Sequence, residues 1–252
     1  MSDTIGIEIP DIGNAKRILA IQPHYDDNDI SAGGTLAALA DGGAELHYLT
    51  MSDDLMGVID VNWSAEESTA RLRDDQKRAG EIIGVAQQYW LGYPDAGSYD
   101  YFDVRRDMIK HIRLVRPDII FTVDPWMAYE AHTDHVMAGQ AAAEAAILYG
   151  LMRIKSEANV DDNYRHHRID AVVFHGTSYP NTIYDISSSI ERKNQAMRCY
   201  KAQFNEASFD GLIGRTSAYA AKIARDETFE YGEALKIMPP GLLHGVGEAL
   251  KY

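Results

Sequence analysis

Two short clusters of imidazole and carboxylate side chains are the residues best suited to chemistry. Residues 23–27 read Pro-His-Tyr-Asp-Asp, and residues 132–135 read His-Thr-Asp-His. Each cluster follows an apolar run that is typical of a buried strand, and a helical pattern follows each cluster. In open α/β sheets, functional residues collect in the crevice beyond the carboxyl ends of the strands. We therefore expect the two clusters to meet at one edge of a sheet.

The spacing within the clusters suits a catalytic metal centre. His24 and Asp27 are three residues apart at a strand-to-helix turn, so one helical turn brings the imidazole and the carboxylate to the same side. His135 then completes a set of two histidines and one carboxylate. Three protein ligands leave positions for water and substrate, as in a catalytic zinc site. We expect Zn²⁺ as the cofactor, although the same set binds other divalent transition metals.

The remaining polar residues of the clusters have roles beside such a metal. Asp26 is not needed as a ligand, so we expect it to be the general base that deprotonates a metal-bound water. His132 is expected to act as a general acid, or as a donor to the oxyanion of a tetrahedral intermediate. Asp134 is expected to orient or charge His132. These roles together predict a hydrolase.

Three other interpretations stay open at this point. An Asp-Asp pair after a strand is often only a helix N-cap, and His-x-x-His alone is a weak pattern. Two histidines and one carboxylate also bind Fe(II) in non-haem oxygenases, although those ligands usually sit on a double-stranded β-helix. A nucleotide-binding module is suggested only by Gly33 and Gly34, and the fingerprint Gly-x-Gly-x-x-Gly does not follow the first strand.

Composition favours a globular enzyme that acts on a small molecule. The chain has 252 residues, 46% of them apolar, and no run approaches the ~20 apolar residues that cross a bilayer. The net charge of −14 repels phosphate backbones and argues against a nucleic acid partner. Cys199 is the single cysteine, and Met1-Ser2-Asp3-Thr4 does not resemble the start of a secretory signal, so we expect a cytoplasmic protein.

Alternating apolar runs and amphipathic stretches predict an α/β fold with a mostly parallel sheet. Strands are expected at 17–22, 44–50, 87–91, 118–123 and 170–175, and helices near 32–42, 66–84, 101–116, 134–151 and 187–206. Ser64 and Glu67 have the spacing of a capping box at the start of the second helix. Segment 152–168 is polar and is expected to be a surface loop. We expect one domain over 1–252, with 204–252 as a cover or an oligomer contact, which leaves room for a homo-oligomer.

The two clusters and the residues between them resemble one known family. Residues 18–35 are similar to the opening motif of the PIG-L/LmbE-type zinc-dependent N-deacetylases, usually Pro-His-Pro-Asp-Asp followed by Gly-Gly-Thr. Residues 132–135 resemble the His-Pro-Asp-His of that family. Further similarities follow in the same chain order at Ile83-Gly84-Val85, Leu91-Gly92, Asp95, Arg116-Pro117-Asp118, Tyr179-Pro180-Asn181, Asp185-Ile186-Ser187, Lys193 and Ala196. The resemblance spans about residues 17–205.

The resemblance implies a Rossmann-like three-layer fold with zinc on His24, Asp27 and His135, Asp26 as the base, and His132 stabilising the oxyanion. It also implies hydrolysis of an N-acetyl group on an amino sugar of the N-acetylglucosamine type or on a sugar conjugate. A precursor of a thiol glycoside is the alternative substrate within the family. Asp124-Pro125-Trp126 and Tyr129-Glu130 resemble the branch that acts on N-acetylglucosamine or diacetylchitobiose.

The chain departs from the family pattern near the expected site. Tyr25 and Thr133 each replace a usual proline, and Asp54 stands where glycine normally follows the preceding aspartate. None of these changes removes an expected ligand. The additional carboxylate of Asp54 is expected to influence which substituent of a substrate is accepted.

Four residues are candidates for contacts with a sugar. Arg73 is the better match to an arginine of the family, with Arg71 as a competing alignment. Asp95 follows a strand and is expected to accept hydrogen bonds from sugar hydroxyls. Trp126 and Tyr129 are expected to wall the sugar. Each candidate has a structural alternative: a surface ion pair for the arginines, a turn for Asp95, and packing for the aromatic residues.

Overall fold

A computed structural model describes residues 6–252, and these residues form a mixed seven-stranded sheet. The strands are β1 (Arg17–Gln22), β2 (Glu45–Ser52), β3 (Val85–Tyr93), β4 (Ile119–Val123), β5 (Ala171–His175), β6 (Thr182–Asp185) and β7 (Gly232–Met238). Their order across the sheet is β3-β2-β1-β4-β5-β7-β6. The first five strands pair in parallel, whereas β7 runs antiparallel between β5 and β6.

Helices cover both faces of the sheet. They are α1 (Asp27–Asp41), α2 (Ala65–Ile83), α3 (Tyr101–Val115), α4 (Thr133–Leu148), α5 (Ala158–Asn163), α6 (Ile190–Met197) and α7 (Glu206–Ile223). On one face, α1 packs with α2 and α6, and on the other α3 packs with α4. The architecture is therefore a three-layer α/β fold.

The alternation of side chains along β1 explains these two layers. Ile18 and Ala20 belong to the core beneath α1 and α2, whereas Leu19 and Ile21 belong to the core beneath α3 and α4. Successive residues of a strand point to opposite faces, so a strand buried on both sides reads as a continuous apolar run. This is why the sequence pattern of β1 identified it as an interior strand.

The sheet reverses its winding direction next to β1. The chain leaves β1 through α1 toward β2 on one side, and later returns to pair β4 with the other side of β1. Such a switch point opens a crevice at the carboxyl ends of the two strands. The first cluster follows β1 and the second follows β4, so the topology directs both to the same crevice.

The predicted α/β class and the five predicted strands are confirmed. The capping prediction at the start of α2 is confirmed as well, since the Ser64 side chain accepts a hydrogen bond from the Glu67 N–H at 3.1 Å. The same helix ends at Gly84, which has a φ of +100°. That left-handed conformation is the common helix ending for which glycine is suited.

Three expectations about the second half of the chain need correction. The loop expected at 152–168 contains α5, and the helix expected over 187–206 ends at Met197, before the separate helix α7. The segment 204–252, expected as a cover or an oligomer contact, contributes β7 to the interior of the sheet. The two charged residues of β7, Glu233 and Lys236, interrupt its apolar pattern although both are buried.

Two predictions concern a secretory signal and membrane-spanning helices. The predicted lack of a secretory signal at Met1-Ser2-Asp3-Thr4 falls outside the described residues. Within residues 6–252, each helix is either too short or too polar to pass through a lipid bilayer.

Candidate metal centre

Both clusters lie at the carboxyl edge of the sheet, on either side of the switch point. Residues 23–26 form the turn between β1 and α1, and residues 124–132 connect β4 to α4. The ring centroids of His24 and His135 are 5.2 Å apart, and those of His24 and His132 are 4.7 Å apart. The fold thus brings the two clusters into contact.

Small residues press α4 closely against the end of β4. A Cβ atom added at Gly139 would lie 2.6 Å from the carbonyl oxygen of Val123 and 2.8 Å from the Pro125 ring. Ala138 and Ala142 are fully buried on the same helix. His135 lies one turn before Gly139, so this close packing holds it at a defined height above the sheet.

His24, Asp27 and His135 form a group with the spacing of a metal site. His24 Nδ1 lies 3.1 Å from Asp27 Oδ2, and His135 Nε2 lies 3.4 Å from Asp27 Oδ1. One ligand atom from each residue falls within 4.8 Å of the other two. Metal–ligand bonds of 2.0–2.2 Å in a tetrahedron correspond to ligand separations of about 3.4 Å. These three side chains therefore fit a divalent cation.

A second group of possible ligands shares His24 and contains Asp95, His132 and Asp134. Its carboxylates already accept hydrogen bonds from the protein. Asp134 accepts from the Ala96 N–H at 2.9 Å and from the hydroxyl of Tyr99, and Asp95 accepts from the Met56 N–H at 3.0 Å. A cation there would compete with three donors on two carboxylates, whereas in the first group the His24 N–H binds one oxygen of Asp27 and leaves the other toward His135, so the first group is the better candidate.

The second nitrogen of His24 faces the carboxylates of that second group. His24 Nε2 lies 3.3 Å from Asp95 Oδ1 and 3.5 Å from Asp134 Oδ2. When Nε2 carries the proton, the lone pair of Nδ1 points to the side of Asp27. A carboxylate behind an imidazole ligand fixes its tautomer in this way.

Asp26 does not act as a helix cap. It occupies the N-cap position of α1, but its side chain accepts no hydrogen bond from the first turn of that helix. Asp27 likewise turns back, accepting the N–H of His24 at 2.9 Å. The capping interpretation of the Asp-Asp pair therefore does not describe these side chains.

The two adjacent carboxyl groups have opposite pKa shifts. Burial and the neighbouring charge of Asp27 raise the pKa of Asp26 to about 7. Burial also opposes the ionisation of Asp27, but the hydrogen bond from His24 and the charge of His135 outweigh it and lower the pKa of Asp27 to about 2. Asp27 is thus ionised at neutral pH, whereas the carboxyl group of Asp26 can gain or lose a proton there.

The acidic surroundings also change His24. Burial alone would lower its pKa, but the hydrogen bond to Asp27 and the charges of Asp27, Asp54 and Asp95 raise the pKa of His24 to about 10. The metal-free protein therefore stores a proton on His24 at neutral pH. A cation at this position takes the place of that positive charge.

His132 caps α4 through its ring. Its Nδ1 accepts the N–H of Asp134 at 3.3 Å, which assigns the lone pair to Nδ1 and the proton to Nε2. The His132 side chain lines the same cavity as His24, Asp26 and His135. Its Nε2–H is thus free to act as a hydrogen-bond donor in that cavity.

Asp134 has a different position from the one expected. Its carboxylate binds Tyr99 and Ala96 and faces His24, and its backbone N–H, rather than its side chain, contacts His132. The hydrogen bonds from Tyr99 and Ala96 outweigh the effect of burial and lower the pKa of Asp134. The residue is therefore placed to orient His24.

The four predicted sugar contacts are not brought together. Asp95 lines the cavity above the candidate metal centre, which has a volume of 300 Å³. Trp126 lines a separate groove and packs edge-on against Phe174, while the Tyr129 side chain is fully exposed. Arg73 is half-buried, with its guanidinium 5.2 Å from the Trp90 ring. These residues stay predictions as substrate contacts.

Arg71 and Asp54, the other two residues singled out near the site, have clear positions in the structure. Arg71 lies on the exposed side of α2, where it pairs with Glu67 at 2.8 Å and stacks over Trp63. Its position matches the surface ion pair that was the structural alternative. Asp54 lies in the cavity wall with a φ of +56°, a left-handed conformation that explains why glycine suits this position. Burial and the charge of Asp26 raise the pKa of Asp54 well above its ordinary value.

Three residues at the site were missed by sequence reasoning. Tyr99 binds Asp134, Gln203 lines the cavity, and Glu130 lies 3.3 Å from His135. The Gln203 side-chain oxygen is buried and accepts no hydrogen bond from the described part of the chain. Glu130 was detectable as an acid two residues before the second cluster, whereas Tyr99 and Gln203 carry no local signal.

The fold and the site define the class: an α/β protein with two histidines and one carboxylate gathered at the switch point of its sheet. A family model described as PIG-L, GlcNAc-PI de-N-acetylase, matches residues 19–146. The diacetylchitobiose deacetylase of Thermococcus kodakarensis is 33% identical over 231 residues, which cover 92% of this chain and 86% of that protein. The chain belongs to the PIG-L family.

Two further relatives widen the comparison. The N,N'-diacetylchitobiose deacetylase from Pyrococcus horikoshii, solved with its inhibitor MPG, matches with a TM-score of 0.84 and 33% identity over 92% of this chain and 86% of that chain. The 1D-myo-inositol 2-acetamido-2-deoxy-alpha-D-glucopyranoside deacetylase of Kineococcus radiotolerans is 27% identical over 168 residues, which cover 53% of this chain and 45% of that protein.

Proposed function

We propose that this protein is a metal-dependent hydrolase that removes the acetyl group from an N-acetylated amino sugar of the N-acetylglucosamine type, or from a conjugate of such a sugar. The observation that carries the proposal is Asp26, a buried carboxyl group that lines the cavity beside the ligand group and caps no helix. Amide hydrolysis needs such an uncommitted base, because the attacking water must lose a proton. The names of the relatives, which are deacetylases of related sugars, support the same reaction.

His24, Asp27 and His135 are the residues that would hold the metal. A divalent cation there supplies a Lewis acid that activates water and polarises the amide carbonyl. Asp26 takes the proton of the attacking water and then delivers it to the amide nitrogen as the C–N bond breaks. The Nε2–H of His132 donates to the amide oxygen as negative charge develops on it. The products are acetate and a free amino sugar.

Zinc is the metal that we propose, because two imidazoles and one carboxylate at these separations suit a tetrahedral site with an open position. Other divalent transition metals fit the same donor atoms. The oxygenase alternative is disfavoured because the ligands lie at the switch point of a mostly parallel α/β sheet, and because the chain belongs to the PIG-L family.

Diacetylchitobiose is the substrate that we propose to test first, on the strength of the relative that aligns with nearly the whole chain. The cavity carries the carboxyl groups of Asp26, Asp54 and Asp95. Such a wall favours a neutral sugar that becomes a cationic amine, and disfavours a phosphorylated one. Asp95 lines this cavity, and we propose that its carboxylate accepts a hydrogen bond from a sugar hydroxyl, which is the role predicted for it.

Broader features of the protein stay predictions. We propose one domain over residues 1–252, a cytoplasmic location, and no nucleic acid partner. The segment 240–252, which follows β7, is the part of the tail that keeps the predicted role of a cover or a homo-oligomer contact.

The reaction is tested by acetate release from purified, zinc-loaded protein. N-acetylglucosamine, diacetylchitobiose and a thiol-glycoside precursor form the substrate panel. We expect acetate and free amine in equal amounts from at least one of them, and their rank identifies the branch of the family. Release of acetate from none of the three would contradict the proposed function.

A further inference from the structure

Glu130 contacts both histidines of the second cluster. Its Oε2 lies 3.3 Å from His135 Nδ1, and its Oε1 accepts the backbone N–H of His132 at 2.8 Å. The Glu130 side chain is only 14% exposed. Each of its oxygens therefore lies against a residue of the candidate site.

The loop before the second cluster is shaped to turn Glu130 inward. The Glu130 N–H donates to the Met127 carbonyl at 3.1 Å, and the Met127 N–H donates to that of Asp124 at 3.2 Å. Between them, Tyr129 has a φ of +70° although its side chain lies in solvent. A left-handed conformation is strained for a tyrosine, and surrounding contacts must hold it. The inward position of Glu130 is the feature that this strained turn produces.

The contact of Glu130 with His135 determines which nitrogen of His135 has a lone pair available for a metal. An imidazole has one N–H and one lone pair, and the hydrogen bond on one nitrogen settles the state of the other. The Glu130 carboxylate beside Nδ1 favours the tautomer of the uncharged imidazole that carries its proton on Nδ1 and its lone pair on Nε2. That lone pair lies on the side of Asp27, whose Oδ1 is 3.4 Å from Nε2.

We propose that Glu130 is a positioning residue that fixes the tautomer and ring orientation of His135 for metal binding, and that it anchors the backbone of His132 at the same time. This inference rests on the metal centre of the proposed function. Glu130 does for His135 what Asp95 does for His24, whose Nε2 lies 3.3 Å from the Asp95 carboxylate. Each imidazole ligand thus has its own carboxylate behind it.

The test is the zinc dissociation constant of each variant, measured by competition with a chromophoric chelator. Removing a carboxylate behind a ligand histidine typically weakens metal binding by about 10–100-fold, and we expect this loss for Glu130→Ala. Glu130→Gln keeps an oxygen acceptor but loses the charge, so its loss is expected to be smaller than that of the alanine variant. Glu45→Gln, which removes one charge at the opposite edge of the sheet, is the matched control with unchanged affinity.

Three results separate the possibilities. Weaker zinc binding in both variants, with thermal unfolding of the metal-free proteins unchanged, supports a positioning role. Zinc binding by Glu130→Ala within threefold of the wild type overturns it, as does an equal loss in the Glu45→Gln control. Wild-type protein that binds no zinc contradicts the metal centre itself, and this result is recognised before any variant is compared.

Discussion

Replacing Asp26 by asparagine is expected to abolish most activity while making the metal-free protein more stable. Asparagine has nearly the same shape as aspartate, and the Asp26 side chain makes no capping bond that would be lost. The change therefore removes the ionisable group and little else. A residue kept for folding would give the opposite result for stability.

The size of both effects follows from the surroundings of Asp26. A general base contributes about 10²–10⁴-fold to a rate, so kcat is expected to fall by that factor. The pKa of Asp26 is raised from 3.8 to about 7, so the unfolded chain ionises more readily than the native protein. Relative to an uncharged side chain at this position, Asp26 therefore lowers the free energy of unfolding by about 4 kcal/mol at pH 8, where the native carboxylate is ionised. At pH 5 the same pKa difference lowers it by about 2 kcal/mol.

Urea unfolding of the chelator-treated proteins at pH 8 and pH 5 measures the stability effect. We expect Asp26→Asn to be more stable than the wild type at both values, with the larger gain at pH 8. The control is Asp41→Asn, which removes an exposed charge at the far end of α1, the helix that follows Asp26. Its free energy of unfolding is expected to stay within about 0.5 kcal/mol of the wild-type value. Lower stability of Asp26→Asn at pH 8, or acetate release at the wild-type rate, would refute the role of Asp26.

Three other outcomes are expected. His132→Ala is expected to lower kcat about 10²–10³-fold with little change in KM. The loss of the N-cap of α4 is expected to lower the free energy of unfolding by about 1 kcal/mol, measured with urea. An unchanged kcat would show that His132 has no role in the reaction. Burial would lower the pKa of His24, but hydrogen bonding to Asp27 and nearby negative charges raise it to about 10. Zinc binding therefore displaces a proton, and the zinc affinity is expected to rise about tenfold for each pH unit between pH 6 and 8. Calorimetry in two buffers that detects no proton release would contradict this. Burial lowers the pKa of His175 to about 4, so the unfolded state binds more protons than the native state between pH 6.5 and 4. As the pH falls through that window, the free energy of unfolding of the wild type is expected to fall by about 3 kcal/mol more than that of His175→Gln. Equal decreases in both proteins, measured by urea unfolding, would exclude a buried neutral histidine.

The elements around the first cluster were predictable because their signals are local. β1 is apolar from Ile18 to Ile21, and the polar residues that follow it begin α1 at Asp27. β7 carried no such signal, because Glu233 and Lys236 interrupt its apolar residues. The buried carboxylate of Glu233 accepts hydrogen bonds from Lys193 at 2.6 Å and from the N–H groups of Gly34 and Thr35. Partners nearly 200 residues away cannot be read from a local pattern.

The candidate site divides in the same way. His24, Asp27 and His135 were found from spacing within two clusters and from the rule that functional residues gather beyond strand ends. The contacts of two carboxylates with these imidazoles were not predicted. Asp95 was predicted as a sugar contact but also reaches His24 from the end of β3, and the position of Glu130 depends on the strained turn at Tyr129. Such contacts are decided by loop conformation rather than by residue type.

The most direct measurement is anomalous diffraction from crystals of the zinc-loaded protein, recorded at the zinc absorption edge. We expect one strong peak at about 2.0–2.2 Å from His24 Nδ1, an Asp27 carboxylate oxygen and His135 Nε2, with Asp26 nearby but outside the ligand sphere. A peak held instead by Asp95 and Asp134, or one that leaves His135 unligated, would contradict the assignment of the metal centre.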